Sequence, residues 1–177
     1  MPTKPEILWD QGSAYDLFIS LWILHRPDEF GLRPSWAAGV RSRLPSPLRE
    51  VLEQSQQFMI VPLRWIHSLS EPQNAQAALD ALAAIPPAER LSVLMFTGKH
   101  SEESTAFHDF LLGLDGKQRL TTRIEERIQS RYQKSQKATK PFVRAMFSAW
   151  ANREAFGESL LKALKAYVCL LYTSPSP

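Results

Sequence analysis

The chain has 177 residues, of which 44% are hydrophobic and 22% are charged, proportions that fit one globular domain and exclude a fibrous or wholly disordered chain. Lysine and arginine number 21 against 18 acidic residues, and a net charge of +3 is too small to indicate nucleic-acid binding by itself. No apolar run reaches the roughly 18 residues of a membrane span, and the N-terminus has no apolar signal-peptide core. We therefore expect a cytoplasmic protein that does not associate with membranes.

The first third of the chain predicts helices separated by prolines. Residues 13–25 form a wide apolar face, which a helix has to bury, and Pro27 cannot continue the hydrogen-bond ladder. A short helix is expected after Ser35, and a longer one after Ser46, which is followed by a proline at the first helical position. We expect the following residues of the first helix to be mostly buried: Leu17, Leu21, Trp22 and Leu24.

The middle of the chain predicts further short helices. The apolar run at 58–61 could be a strand, but no alternating partner lies nearby and Pro62 ends it, so we favour a helix end followed by a turn of helix. Alanine-rich residues 72–85 favour a helix, which the proline pair at 86–87 ends before another begins. Ser101 is placed to cap the next helix, whose acidic first turn suits the positive helix end.

The last third predicts three helices, over 117–136, from 140 onward and over 154–168. Each carries apolar residues at i+4 steps, which are Leu120, Ile124 and Ile128; Phe142, Met146 and Trp150; and Phe156, Leu160, Leu164 and Val168. No alternating strand series or internal repeat is present in the sequence. The predicted fold is therefore all-α, an irregular multi-helix domain of about eight or nine short helices.

The final residues, CLLYTSPSP at 169–177, correspond codon by codon to translated read-through of a transposase-type sequencing-library adapter. We expect a helical domain over 1–168, a non-native tail over 169–177 that makes few core contacts, and a native protein that continues past Val168. The chain's single cysteine, Cys169, lies in this tail. Thiol chemistry and a thiolate metal site are therefore not expected of the domain.

Four arginines recur at i+4 steps and are predicted to line one face of the helix over 117–136: Arg119, Arg123, Arg127 and Arg131. Residues 117–144 hold nine basic and two acidic side chains, a local charge of +7, which leaves −4 for the rest of the chain. One interpretation is a surface that contacts a polyanion or an acidic partner. The other is a solvated face beside the apolar stripe of the same helix.

Other candidate sites are weaker. His100 and His108 lie near acidic residues, but their spacing matches no zinc signature, so we interpret them as surface histidines. The chain has five tryptophans, which could line a ligand cavity, although core packing is the interpretation we favour. No phosphate-binding loop, dinucleotide fingerprint, nucleophile elbow or HExxH helix is present, so we predict neither catalysis nor a cofactor.

Three segments carry a resemblance to a known family. They are WDQGSAYDLFISLWILHRPDEFGLRPSWAAGVRSRLP, VPLRWIHSL and ALAAIPPAERL, and REAFGESLLKALKAYV at 153–168 is similar to a later helix of the same region. Together they resemble the N-terminal region of bacterial ArsR-type winged-helix transcriptional regulators. The most specific part contains His25-Arg26-Pro27 and Pro34-Ser35-Trp36.

The resemblance implies a transcription factor whose N-terminal helical part serves as a regulatory or dimerisation module. DNA binding would then belong to a winged helix-turn-helix that is missing from this chain, and a homodimer is a possible assembly. Two alternatives stay open: a helical adaptor that docks acidic partners or nucleic acid through the arginine stripe, and a small-molecule binding domain. Metal-sensing relatives use cysteine thiolates, which this sequence lacks outside the tail.

Overall fold

The computed structural model describes residues 12–132 and 138–173, and in those ranges it contains helices and turns but no strand. This confirms the predicted all-α fold and the interpretation of 58–61 as something other than a strand. The ten α-helices, α1 to α10 in chain order, span Ser13–Leu24, Pro34–Arg41, Ser46–Phe58, Leu63–His67, Ala75–Ala84, Arg90–Phe96, Glu102–Leu112, Thr122–Tyr132, Lys140–Ala151 and Arg153–Thr173. Two 3-10 turns, Pro27–Phe30 and Pro87–Glu89, precede α2 and α6.

Side-chain caps fix where several helices begin. The Ser101 hydroxyl accepts a hydrogen bond from the Ser104 amide at 3.2 Å, which confirms the predicted cap of α7. Helix α5 begins three residues later than the alanine-rich run, because Asn74 Oδ1 accepts from the Ala77 amide at 2.8 Å. Such caps satisfy amides that have no partner within the helix.

Helix α10 is the centre of the domain and packs against α3, α5 and the Pro87–Glu89 turn. The predicted apolar stripe of this helix is buried, as are the three residues predicted for α9: Phe156, Leu160, Leu164, Val168, Phe142, Met146 and Trp150. Helix α3 also contacts α9, and α9 in turn contacts α7 and α8. The C-terminal helices therefore share one core with the N-terminal ones.

The face predicted for α1 is buried with one exception. Leu17, Leu21 and Leu24 are at most 4% exposed, whereas Trp22 is only half-buried. The Arg26 guanidinium lies over the Trp22 ring, with its central carbon 3.4 Å from the ring centroid. Trp22 thus lies at the edge of the core, where its indole stacks with a partly buried cation.

Helix α8 is shorter than predicted, since it begins at Thr122 rather than at residue 117. Asp115 Oδ1 accepts a hydrogen bond from the Lys117 amide at 3.0 Å and so keeps the preceding chain in a turn. The Thr121 hydroxyl then accepts from the Ile124 amide at 3.4 Å at the start of the helix. The prediction that Arg119 shares a helix with the other three arginines is wrong, and residues 133–137 of the predicted helix lie outside the described residues.

Helix α10 continues into the tail and ends at Thr173. Cys169 and Leu171 are exposed, while Leu170 is partly buried against the core. Of these three tail residues, only Leu170 packs against the core, whereas few core contacts were expected of the whole tail. Residues 174–177 lie outside the described part. No helix in the described ranges is both long enough and apolar enough to cross a membrane.

Candidate anion-binding surface

Helix α8 presents arginines because its opposite side is anchored in the core. Ile128 is fully buried, and α8 packs on α9 through this side. Arg123 and Arg127, one helical turn apart, are exposed. The apolar stripe predicted for this helix is thus only partly realised, because Leu120 and Ile124 are half-buried rather than buried.

The side chains of α7 complete this surface. The Arg127 guanidinium lies 6.0 Å from the centroid of the Phe110 ring on α7, at the outer limit of a cation–π contact. A groove of about 610 Å³ is lined by Phe110 and Ile124, by Arg123 and Arg127, and by the polar Glu126 and Ser130. The α7–α8 surface therefore combines apolar side chains with two arginines and one carboxylate.

Arg119 reaches the same surface although it is not on the helix. A second groove, of about 560 Å³, is lined by Arg119 and Asp109 together with Phe110 and Ile124, which both grooves share. We call Arg119, Arg123 and Arg127 the basic face. Among the described residues, no carboxylate lies within 4.0 Å of any of these three guanidinium groups.

Arg131, the fourth predicted site residue, has a different role. Its Nη1 atom lies 3.5 Å from Glu103 Oε1, and its Nη2 atom donates a hydrogen bond of 3.3 Å to the Ser104 hydroxyl. Both partners are in the first turn of α7. Arg131 therefore ties the end of α8 to the start of α7 and is not part of the basic face.

A second group of cations was missed by the sequence interpretation. Arg64 is the second residue of α4, and Lys99 follows the end of α6. Burial lowers the pKa of Lys99, and the positive charges of Arg131 and Arg64 lower it further. The spacing of residues in the sequence gives no sign that Arg64 and Lys99 lie near each other, because the two residues are far apart along the chain. Only the packing of α4 near the end of α6 brings them together.

The histidines do not form a metal site in the described part of the chain, where no group of three potential metal-binding side chains occurs. His100 is exposed, as predicted, but His108 is half-buried. His108 stacks on Phe96 with centroids 4.4 Å apart, and its Nε2 atom lies 2.9 Å from the Ser92 hydroxyl. Burial lowers the pKa of His108, which favours the neutral ring in this aromatic cluster.

The tryptophans divide between core and surface. Trp65 and Trp150 are buried, as the core interpretation predicts, whereas Trp36 is 50% exposed and Trp9 lies outside the described residues. A cleft of about 750 Å³ at the junction of α9 and α10 has no tryptophan in its wall. The tryptophans thus do not converge on that cleft.

Comparisons with protein-family models, with curated proteins and with solved structures found no match to this chain. Its function is therefore inferred from the basic face and from the sequence resemblance.

Proposed function

We propose that this chain is the regulatory docking domain of a bacterial ArsR-type transcriptional regulator, and that it binds an acidic protein segment through the basic face. The observation that carries the docking role is the exposure of three guanidinium groups around two shared apolar side chains, Phe110 and Ile124. The proposed role is non-catalytic.

Carboxylates are the anions that the basic face fits best. A guanidinium group presents donors in a planar fork that matches a carboxylate with two parallel hydrogen bonds. Arg123 and Arg127, at i and i+4, repel each other slightly in the free protein. An acidic segment would relieve that repulsion, and its apolar side chains would cover Phe110 and Ile124.

The phosphate backbone of nucleic acid is the second candidate ligand, favoured by the one-turn spacing of the two helical arginines. Phosphate contacts need cations but gain nothing from an apolar wall, whereas the two side chains that both grooves share, Phe110 and Ile124, are apolar. This favours a protein partner over DNA. A protein–DNA contact would also lose affinity steeply with salt because bound counterions are released.

The regulatory assignment rests on the sequence resemblance and is compatible with the fold. A winged helix-turn-helix includes strands in its wing, and the described ranges contain none. Following the sequence resemblance, we assign DNA binding to a part of the regulator outside this helical domain. Dimerisation through this helical domain is part of the same proposal.

Charge reversal tests the docking role. The variant carries Arg123→Glu with Arg127→Glu, and the control carries Lys162→Glu with Lys165→Glu, two exposed lysines on α10. The probes are a fluorescent peptide of alternating glutamate and leucine and a short DNA duplex, with binding followed by anisotropy. All three proteins also carry Arg64→Gln with Lys99→Gln, so that the second group of cations does not contribute to binding. We expect the peptide to bind the wild type and the control, and to bind the variant at least about tenfold more weakly.

The outcomes separate the alternatives. Loss of DNA binding in the variant, with no peptide binding to the wild type, would replace the acidic partner by nucleic acid. Equal binding of the peptide by variant and control would remove the docking role, provided that both retain the helical circular dichroism of the wild type.

A further inference from the structure

An apolar groove lies between α4 and α6 and shares no lining residue with the basic face. Its walls include Ile60, Leu63, Trp65 and Met95, and its volume is about 180 Å³. Ile60 is 57% exposed and Leu63 is 51% exposed, an unusual position for two large aliphatic side chains that adjoin each other. We call this feature the α4–α6 groove.

Two cations stand at the rim of the α4–α6 groove, Arg64 and Lys99. The Arg64 guanidinium donates a hydrogen bond to the carbonyl oxygen of Gly98. Gly98 has a φ of 70°, and a Cβ atom there would lie 2.9 Å from Arg64 Cδ, so the glycine lets the arginine lie across the turn. Lys99 Nζ lies 5.5 Å from the centroid of the Phe96 ring.

The charge at this rim is uncompensated. Among the described residues, no carboxylate lies within 4.0 Å of Arg64 or Lys99. The pKa of Lys99 is lowered mainly by burial, and the positive charges of Arg131 and Arg64 lower it further. A bound anion would offset these positive charges.

We propose that the α4–α6 groove binds an acidic peptide segment, which inserts one apolar side chain against Ile60 and Leu63 and places its carboxylates on Arg64 and Lys99. The volume favours a single side chain, since pockets for small molecules usually enclose about 300–1,000 Å³. The charge pattern selects a segment in which an aliphatic residue is flanked by aspartate or glutamate. This site does not depend on the basic face, from which it differs in every residue.

Binding of a defined peptide tests the proposal. The probe is a fluorescent peptide with one leucine between aspartate and glutamate residues, and its matched partner has serine in place of the leucine. With the full chain, we expect the leucine peptide to bind at least about tenfold more tightly than the serine peptide, because only leucine removes apolar surface from water in the groove. Equal binding of both peptides would overturn the proposal, because charge alone would then account for it.

Variants locate the site. Arg64→Glu with Lys99→Glu should weaken binding of the leucine peptide by at least about tenfold, and Leu63→Ser should weaken it by about fivefold. Arg123→Glu with Arg127→Glu makes the same change of charge on the basic face and should leave the affinity within about twofold. Loss of binding only in the basic-face variant would place the peptide there and overturn the α4–α6 groove as its site.

Two further measurements keep the test decisive. If the doubly reversed variant does not fold by circular dichroism, Arg64→Gln with Lys99→Gln replaces it. Methyl chemical shifts of Ile60 and Leu63 should move on addition of the leucine peptide, and unmoved shifts at saturation would contradict the proposal. Occupancy by a second copy of the chain would instead appear as concentration-dependent shifts without peptide.

Discussion

The guanidinium group of Arg90 donates a hydrogen bond of 3.1 Å to the carbonyl oxygen of Gly157, which lies 67 residues further along the chain. Its other donors reach carbonyl oxygens at the end of α5, namely those of Leu82, Ala83 and Ile85. Arg90 is 6% exposed, so these bonds form inside the core. One side chain thus joins α5, α6 and α10.

Loss of this contact should destabilise the whole domain. Arg90→Lys keeps the positive charge, but a single ammonium group cannot reach four carbonyl oxygens in the directions of the guanidinium fork. We expect the free energy of unfolding to fall by about 2–4 kcal/mol, measured by urea denaturation. Arg33→Lys, at an exposed position before α2, should change it by less than about 0.5 kcal/mol. Similar losses in the two variants would contradict this role for Arg90.

Gly157 is required by close packing rather than by its backbone conformation. A Cβ atom at Gly157 would lie 2.1 Å from the carbonyl oxygen of Pro87, which is backbone and cannot move aside cheaply. Gly157→Ala should therefore lower the free energy of unfolding by about 1–3 kcal/mol, despite the higher helix propensity of alanine.

Gly39 on α2 provides the matched control for this substitution. No atom lies within 4 Å of the position that its Cβ would take. Gly39→Ala should leave the protein unchanged or raise its free energy of unfolding by up to about 1 kcal/mol. Thermal unfolding followed by circular dichroism distinguishes the two results, and destabilisation by both substitutions would show that packing at Gly157 is not the cause.

Acidification should destabilise the protein through His25. Burial lowers the pKa of His25, an effect only partly offset by the hydrogen bond of 2.9 Å to the Leu21 carbonyl oxygen. The unfolded chain, with a histidine pKa near about 6.5, then takes up the proton before the folded one does. The free energy of unfolding should therefore decrease as the pH falls below about 6.5 and towards the folded pKa.

The substitution His25→Asn tests this assignment. Urea denaturation at several pH values should show a smaller loss of stability on acidification in this variant than in the wild type. His108, whose pKa is lowered in the same direction, should account for part of the remaining slope, so His25→Asn with His108→Gln should be flatter still. An unchanged slope in the double variant would assign the acid sensitivity to other groups.

Removal of the tail should leave the fold intact. Of its side chains at 169–171, only Leu170 packs against the core. A chain that ends at Val168 should keep its helical circular dichroism and lose no more than about 1.5 kcal/mol of stability. A cooperative loss of helix on truncation would mean that the tail is an integral part of the domain.

Hydrophobic periodicity was sufficient to predict the helices but not all of the surface. The buried Leu17 and Leu21, and the capping hydroxyl of Ser101, follow from patterns within one helix. The regular i+4 spacing predicted that Arg119 lies on the same helix as the other arginines, which is wrong. The side chains of Asp115 and Thr121 hold the chain in a turn and start the helix after Arg119. Arg123 and Arg127 are exposed on one helix, whereas Phe110, which lines the same groove, comes from α7.

The α4–α6 groove illustrates why the remainder could not be predicted. Arg64 and the Gly98 carbonyl that it contacts are 34 residues apart, and neither belongs to a recognisable motif. Their contact depends on how α4 packs beside the end of α6. Long-range packing of this kind leaves no periodic signal in the sequence.

Helix α8 is held by few contacts compared with α10. Over its described residues, Thr122–Tyr132, Ile128 is the one side chain that is buried. Helices with so little burial open locally at a lower free energy than the global unfolding of a domain. Amide hydrogens of α8 should therefore exchange with solvent sooner than those of α10. A ligand on the basic face would slow that exchange, so occupancy of this surface can be followed by hydrogen exchange whatever the chemical nature of the ligand.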